Sequence, residues 1–329
     1  MFGFRKRRVV VGLAAGLLLA TAACSSQGGA QRNDAAAAGA TNQPRLTIAM
    51  ITHAPAGDAF WDQIQKGAKE AAAKNTVDFK YSGSIAIPEQ STFIQNAIDS
   101  KVDGIAVTLP DPAALAPVVQ KAIAAGIPVV ALNAGDREWQ KTGALAFYGE
   151  PEVLAGEYAG TELSRIGSKH TLCEIQAQGQ VQLEDRCAGI ASKFTGTTEK
   201  LYAEGTDIPQ YVSTVSSKLR QDPTIDSVVT LGPALGVAVQ KQLEQDGNTA
   251  KVATYAFNAD LVPPLQNGKV AFTIDQQPYL QGYLAVDSLW LYKRNKSVIG
   301  ANLSVPTGPV VVNQSNIGDL TQPIKDGLR

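Results

Sequence analysis

The chain has 329 residues, with 29 Lys plus Arg against 30 Asp plus Glu, for a formal net charge of -1. That balance argues against the basic face by which nucleic-acid binders hold phosphates, and 18% charged with 44% hydrophobic residues excludes a disordered or fibrous chain. Three Cys and two His are too few for a metal cluster or a disulfide-dense scaffold, so no metal and no cofactor are expected.

Arg5, Lys6, Arg7 and Arg8 precede an apolar run from Val9 to Ala23. A bilayer crossing takes about 20 apolar residues, so this run is short for a permanent span. It reads as a secretory signal peptide over residues 1–23. Its end, Thr21-Ala22-Ala23-Cys24, resembles a bacterial lipobox, in which the Cys becomes the new N-terminus and carries lipid. Thr21 stands where Leu is usual, and ordinary cleavage that leaves Cys24 free is the alternative. Residues 25–44 are rich in Gly, Ala, Gln and Asn and have almost no large apolar side chain. They cannot bury a core, so residues 24–44 read as a flexible, lipid-anchored tether.

Leu46 to Thr52 is a short apolar strand, and Trp61, Ile64, Ala68 and Ala71 then recur at helical spacing. Phe93, Ile94, Ala97 and Ile98 mark a second helical face, Gly104 to Thr108 a strand, Leu115, Val118, Val119, Ala122 and Ile123 a third helix, and Ile127 to Leu132 a strand. The pattern restarts after Glu150. Strands are predicted at Thr171 to Ala177, Ser227 to Leu231, Lys251 to Ala256 and Ala271 to Ile274, and helices at Leu183 to Phe194, Tyr211 to Leu219, Val237 to Leu243 and Leu280 to Tyr292. Near-continuous apolar strands alternating with amphipathic helices specify an α/β fold with parallel sheets covered on both faces. Two such runs lie in tandem.

In open parallel sheets, ligands bind beyond the carboxyl ends of the strands. The segments there are His53 to Trp61, Leu109 to Asp111, Asn133 to Asp136, Tyr148 to Glu150, Gly232-Pro233, Asn258 and Asp275-Gln276. They carry carboxylates, amides and aromatic rings but no Lys and no Gly-rich phosphate loop. That set suits a neutral polyhydroxylated ligand, whose hydroxyls need paired donors and acceptors and whose apolar ring faces lie on aromatic side chains.

At these residues the chain resembles the sugar-binding proteins of ABC importers, the ribose- and galactose-binding cluster of the type I periplasmic binding fold. The resemblance runs from about Leu46 to Val312. Gly57-Asp58-Ala59-Phe60-Trp61 matches the family's first strand-helix turn, which implies a hydroxyl contact from Asp58 and ring-flanking aromatics at Phe60 and Trp61. Asp103-Gly104-Ile105 with Leu109-Pro110-Asp111-Pro112 matches the D-G-I segment and its turn, bringing in Asp111. Ile127-Pro128-Val129-Val130 leads to Asn133, where many members have Asp followed by Arg; here Ala134 follows. Tyr148 ends the lobe. Glu184-Asp185-Arg186-Cys187-Ala188-Gly189 resembles the R-x-x-G helix start, which implies that Arg186 grips ring oxygens. Asn258 and Gln276 match two further polar positions. Gly232-Pro233 replaces an Asn of some relatives.

Each assignment has a plainer reading. Phe60 and Trp61 could be core, Asp58 an N-cap, Arg186 a surface partner of Glu184 or Asp185, and Asn258 and Gln276 loop amides. Gln180 and Glu184 are weaker candidates. No G-x-S-x-G, Walker or G-x-G-x-x-G motif is present, His53 and His170 stand alone, and Asp58 with Asp111 is the one carboxylate pair to suspect; no enzyme activity is expected.

The resemblance implies two doubly wound lobes around a central cleft, 45–149 plus 278–305 and 150–277 plus 306–329, joined by crossovers near 148–151, 276–278 and 305–308. It implies an exported receptor, monomeric and lipid-held at the outer membrane face, that passes a monosaccharide or polyol to an ABC permease and its ATPase. A sensor that presents ligand to a chemoreceptor or kinase is the alternative. Export places Cys173 and Cys187 in an oxidising compartment, where a disulfide is expected; two buried thiols are the alternative.

Overall fold

The computed structural model describes residues 45–55 and 57–329; the predicted signal peptide, Cys24 and the tether lie outside the described residues. In chain order, β1 (Thr47–Thr52), α1 (Ala59–Lys74), β2 (Asp78–Gly83), α2 (Ile87–Asp99), β3 (Gly104–Val107), α3 (Pro112–Ala124), β4 (Val129–Leu132) and β5 (Phe147–Gly149) build one lobe. α4 (Glu152–Arg165), β6 (His170–Ile175), α5 (Val181–Lys193), β7 (Thr197–Tyr202), α6 (Ile208–Gln221), β8 (Ser227–Val229), α7 (Pro233–Gln245), β9 (Lys251–Tyr255), α8 (Val262–Gln266) and β10 (Val270–Asp275) build the other. α9 (Pro278–Asn295) and β11 (Ser304–Pro306) return to the first, and β12 (Val310–Asn313) and α10 (Thr321–Lys325) finish the second.

The sheets run β11-β5-β4-β3-β1-β2 and β12-β10-β9-β8-β6-β7, the same winding twice. Every pairing is parallel except β10 with β12. The chain thus passes between sheets after β5, after β10 and between β11 and β12. Each sheet is buried on both faces, which is why its central strands are apolar without alternation. Ile48 and Met50 of β1 face one core cluster, Ala49 and Ile51 the other.

Among the elements that escaped the sequence reading, three have a clear physical reason. β2 (DFKYSG) and β7 (TTEKLY) are outer strands with half-exposed, polar faces, so they lack the apolar run of a central strand. α4 buries Ala155, Gly156, Ala159, Gly160 and Leu163, a face too small-sided to register as amphipathic. Those small residues let backbones meet. A Cβ on Gly156 would lie 2.1 Å from the Arg186 carbonyl oxygen, and one on Gly189 would lie 2.2 Å from that of Val153. The first lobe repeats the device, with Gly67 against Tyr279 O and Gly282 against Ile64 O, each 1.9 Å from the added atom.

Cys173 on β6 and Cys187 on α5 form the expected disulfide, with Cα atoms 5.8 Å apart. It ties the helix that carries Arg186 to an inner strand of its sheet.

On the opposite face of β6, Glu174 is fully buried and accepts a hydrogen bond from the Tyr211 hydroxyl. Burial pushes its pKa up to about 8, against the favourable Tyr211 bond. A carboxyl whose folded pKa is raised gives stability that is full below pH 4.5 and is lost as pH rises through about 8. Glu174→Gln should remove that loss, worth a few kcal/mol at most. Denaturant titrations at pH 5 and pH 9 check it; equal losses in variant and wild type would contradict the assignment.

Candidate functional site

The lobes meet through the loops at the carboxyl ends of their strands. Gln63 on α1 donates to the Phe257 carbonyl at 2.9 Å. The Val181 amide at the start of α5 reaches Pro110 O at 3.4 Å, and Arg137 pairs with Asp185 at 2.9 Å. His53, after β1, meets Gln182 on α5 with 3.3 Å between Nε2 atoms.

Aromatic rings line the first lobe's side. Trp61, buried within the first turn of α1, meets the His53 ring edge-on at 4.7 Å and the Phe60 ring at 5.2 Å. Asp58 caps α1, its carboxylate accepting from the Phe60 amide at 3.0 Å, so the cap fixes where both rings start. Asp111 likewise caps α3, accepting from the Ala114 amide at 3.0 Å. Both carboxylates stand at the strand ends, as capping residues first.

Arg186 is 4% exposed and is not the surface partner of its neighbours on α5. Asp185 turns to Arg137, and Glu184 to Lys200 and Tyr202. Arg186 instead grips Glu152 with Nε–Oε2 at 2.6 Å and Nη2–Oε1 at 3.2 Å, reaches Glu150 at 3.2 Å, and lies 4.7 Å over the Tyr255 ring. Burial raises the Glu152 carboxyl to about 7 against the pull of Arg186. Burial, and then the charge of Glu152, push Glu150 well above the usual carboxylate range. Glu152, held through two bonds, is the nearer counter-charge of Arg186. Glu150 lies at the first crossover between lobes, so Arg186 ties α5 to the hinge.

A second polar cluster sits at the other crossovers. Asn133 Nδ2 donates to Gln276 Oε1 at 2.9 Å and Gln281 Oε1 at 3.1 Å, and Gln281 bonds Thr307 at 3.2 Å. Arg329 pairs with the buried Asp275 at 2.7 Å. Asn133 has φ 63°, Ala256 60° and Gln277 52°, left-handed conformations that cost non-glycine residues energy and gather where chain direction must change at a site.

Two of the candidate side chains are engaged within their own lobes. Tyr148 faces inward: it is fully buried in the first lobe's core, and its hydroxyl donates to Ser288 Oγ at 2.6 Å, with Ile299 O at 3.0 Å. It takes the face of β5 opposite to Phe147, because alternate residues of a strand face opposite sides. Asn258 spends its side-chain oxygen on the Leu261 amide at 2.9 Å, capping a short 3-10 turn. Its amide nitrogen is what remains for a ligand.

The reading placed Glu150 at a strand end and did not single out Gln63, Gln90, Gln182 or Glu152. Gln90 alone carried a signal: it lies one turn before Ile94 on the buried face of α2, a polar residue on an apolar stripe. Gln63 and Gln182 act across the lobe boundary and Glu152 across the α4–α5 packing, which no local period reports.

Residues 48–297 match the model of a periplasmic binding protein domain, so the chain belongs to the periplasmic binding protein family. Within it, the two winding-matched lobes and three crossovers define the type I class, a solute-binding protein rather than an enzyme, a reading that rests on the family. A solved carbohydrate transporter from Acidothermus cellulolyticus in complex with myo-inositol is 49% identical, with TM-score 0.85, covering 87% of this chain and 100% of that one. The xylose/arabinose-binding protein XylF of Sulfolobus acidocaldarius is 27% identical over 297 residues, 83% of this chain and 72% of the relative. The ribose import binding protein RbsB of Bacillus subtilis is 24% identical over 279 residues, 81% of this chain and 88% of the relative. Among the described residues, no helix is long and apolar enough to cross a membrane.

Proposed function

We propose that the chain is the receptor of an ABC importer that captures a neutral monosaccharide or cyclitol between its lobes and hands it to a permease. The observation that carries this reading is a set of buried oxygens without hydrogen-bond partners around the lobe contact: Gln63 Oε1, Gln90 Oε1 and Glu150 Oε2. Buried polar atoms are almost always paired, and a ligand with hydroxyls on all sides supplies the donors. Arg186 already has Glu152 and Glu150 as charge partners, so it calls for no charged group on the ligand. The rings of Phe60 and Trp61 offer a wall for the apolar face of a ring. Asp58, Asp111, Asn133, Asn258 and Gln276 are the remaining polar candidates. The inositol complex of the 49% identical relative makes myo-inositol the first ligand to try.

Closure is a differential-affinity effect: contacts from the second lobe exist only when the lobes are together. In the native host, deleting the gene should abolish uptake of the bound sugar while leaving metabolism of the internalised sugar intact. Normal uptake with a lost response to the sugar would point to a sensor instead. Lipid on Cys24 would hold the receptor at the outer face of the cell membrane. Cys24→Ser should therefore move the protein from the membrane fraction to the soluble exported fraction; unchanged membrane retention would remove the anchor.

A further inference from the structure

His53 was set aside in the sequence as a lone histidine, yet both its ring nitrogens are engaged. Its backbone amide and its Nδ1 both meet Thr108 Oγ1 at 2.9 Å, a double hold from the loop after β3. Its Nε2 lies 3.3 Å from Gln182 Nε2, on the other lobe. With the Gln182 amide donating, Nε2 is the acceptor and the ring proton sits on Nδ1, facing Thr108. Gln182 is steadied by Gln180 Oε1 at 2.8 Å. His53 is 6% and Gln182 3% exposed. The imidazole thus has no polar atom left for a ligand, while its ring braces the edge of Trp61.

We propose, building on the solute-capture reading, that His53 is a positioning residue for ligand capture: its hydrogen bond to Gln182 is made only when the lobes close, and it fixes the Trp61 ring in the same step. The two partners stand on different lobes, so hinge opening breaks the bond. A bond between lobes that exists in the closed state alone raises the population of that state, and with it the apparent affinity of any ligand that binds it. Thr108 holds the ring in place beforehand, which lowers the entropy spent on closing. His53 acts through Gln182 and Trp61, and touches the ligand through neither nitrogen.

The test is a double-mutant cycle read in ligand affinity, using protein lacking residues 1–24 and myo-inositol, or whichever sugar of a pentose and hexose panel binds the wild type. His53→Phe keeps a ring against Trp61 and removes both nitrogens; Gln182→Leu removes the amide and leaves Trp61 untouched. Each should weaken binding about three- to tenfold, and the double variant no more than the weaker single. Multiplying effects, or unchanged affinity in Gln182→Leu, would overturn the latch. The protein has two histidines, so the His53 nitrogen signals are readily assigned with His170→Asn as reference. In the ligand-bound protein they should show the neutral Nδ1–H form and shift in Gln182→Leu; no shift would also overturn it. If no sugar binds the wild type, the capture reading fails, and scattering from the ligand-free protein judges the latch alone. The wild type should then be more compact than Gln182→Leu, and equal radii would reject it.

Discussion

Arg186→Met should cost about 3–5 kcal/mol of unfolding free energy and abolish ligand binding. The loss comes less from the missing attraction than from what is left behind. Glu150 and Glu152 are both fully buried, and without the guanidinium each must take up a proton or stay charged in a dry environment. The Tyr255 ring also loses the planar group stacked on it at 4.7 Å. Because burial is the source of the penalty, Arg186→Met with Glu152→Leu should recover part of the stability, since an apolar pair of similar volume often equals a buried ion pair. Binding should not return, because the tie between α5 and the first crossover is gone. Chemical denaturation with calorimetry on the same samples separates the two effects. A single variant within about 1 kcal/mol of wild type would show that the triad is not a buried structural unit.

Gly282→Ala should destabilise by about 3 kcal/mol, far beyond what one methyl on a helix ordinarily does. The added carbon would lie 1.9 Å from Ile64 O and 2.8 Å from its carbonyl carbon. These are backbone atoms of α1, which cannot turn aside as a side chain can. α1 and α9 must separate, and α1 carries Trp61 and Gln63. Glycine-to-alanine exchange at an exposed helix site gains stability, so the sign itself is diagnostic. Thermal midpoints of Gly282→Ala and of a control at Ser297, outside the helix crossing, would show it. A variant at least as stable as wild type would mean the helices do not approach this closely.

Much of the fold was legible because it rests on local periods. The apolar central strands and the stripes of α1, α2, α3 and α5 repeat at the spacing their burial requires. α4 was not legible, because its packing uses the absence of side chains at Gly156 and Gly160, and absence leaves no hydrophobic period. β2 and β7 were hidden by their outer positions. The aromatic pair Phe60 and Trp61, and Arg186, came from motif resemblance. The carboxyls that hold Arg186 did not, since Glu150 and Glu152 are 34 or more residues away in sequence and meet it only across the folded lobe. That Tyr148 takes a core face of its sheet was not legible, because strand-end position alone does not say which face a residue takes.

The central claim, capture of a neutral polyhydroxylated solute between the lobes, is tested most directly by calorimetric titration of the protein lacking residues 1–24 with myo-inositol, pentoses, hexoses and their alcohols. The account predicts saturable binding of one molecule per chain by at least one member of the panel, lost in Arg186→Met. A folded protein that gives no heat with any of them would contradict it.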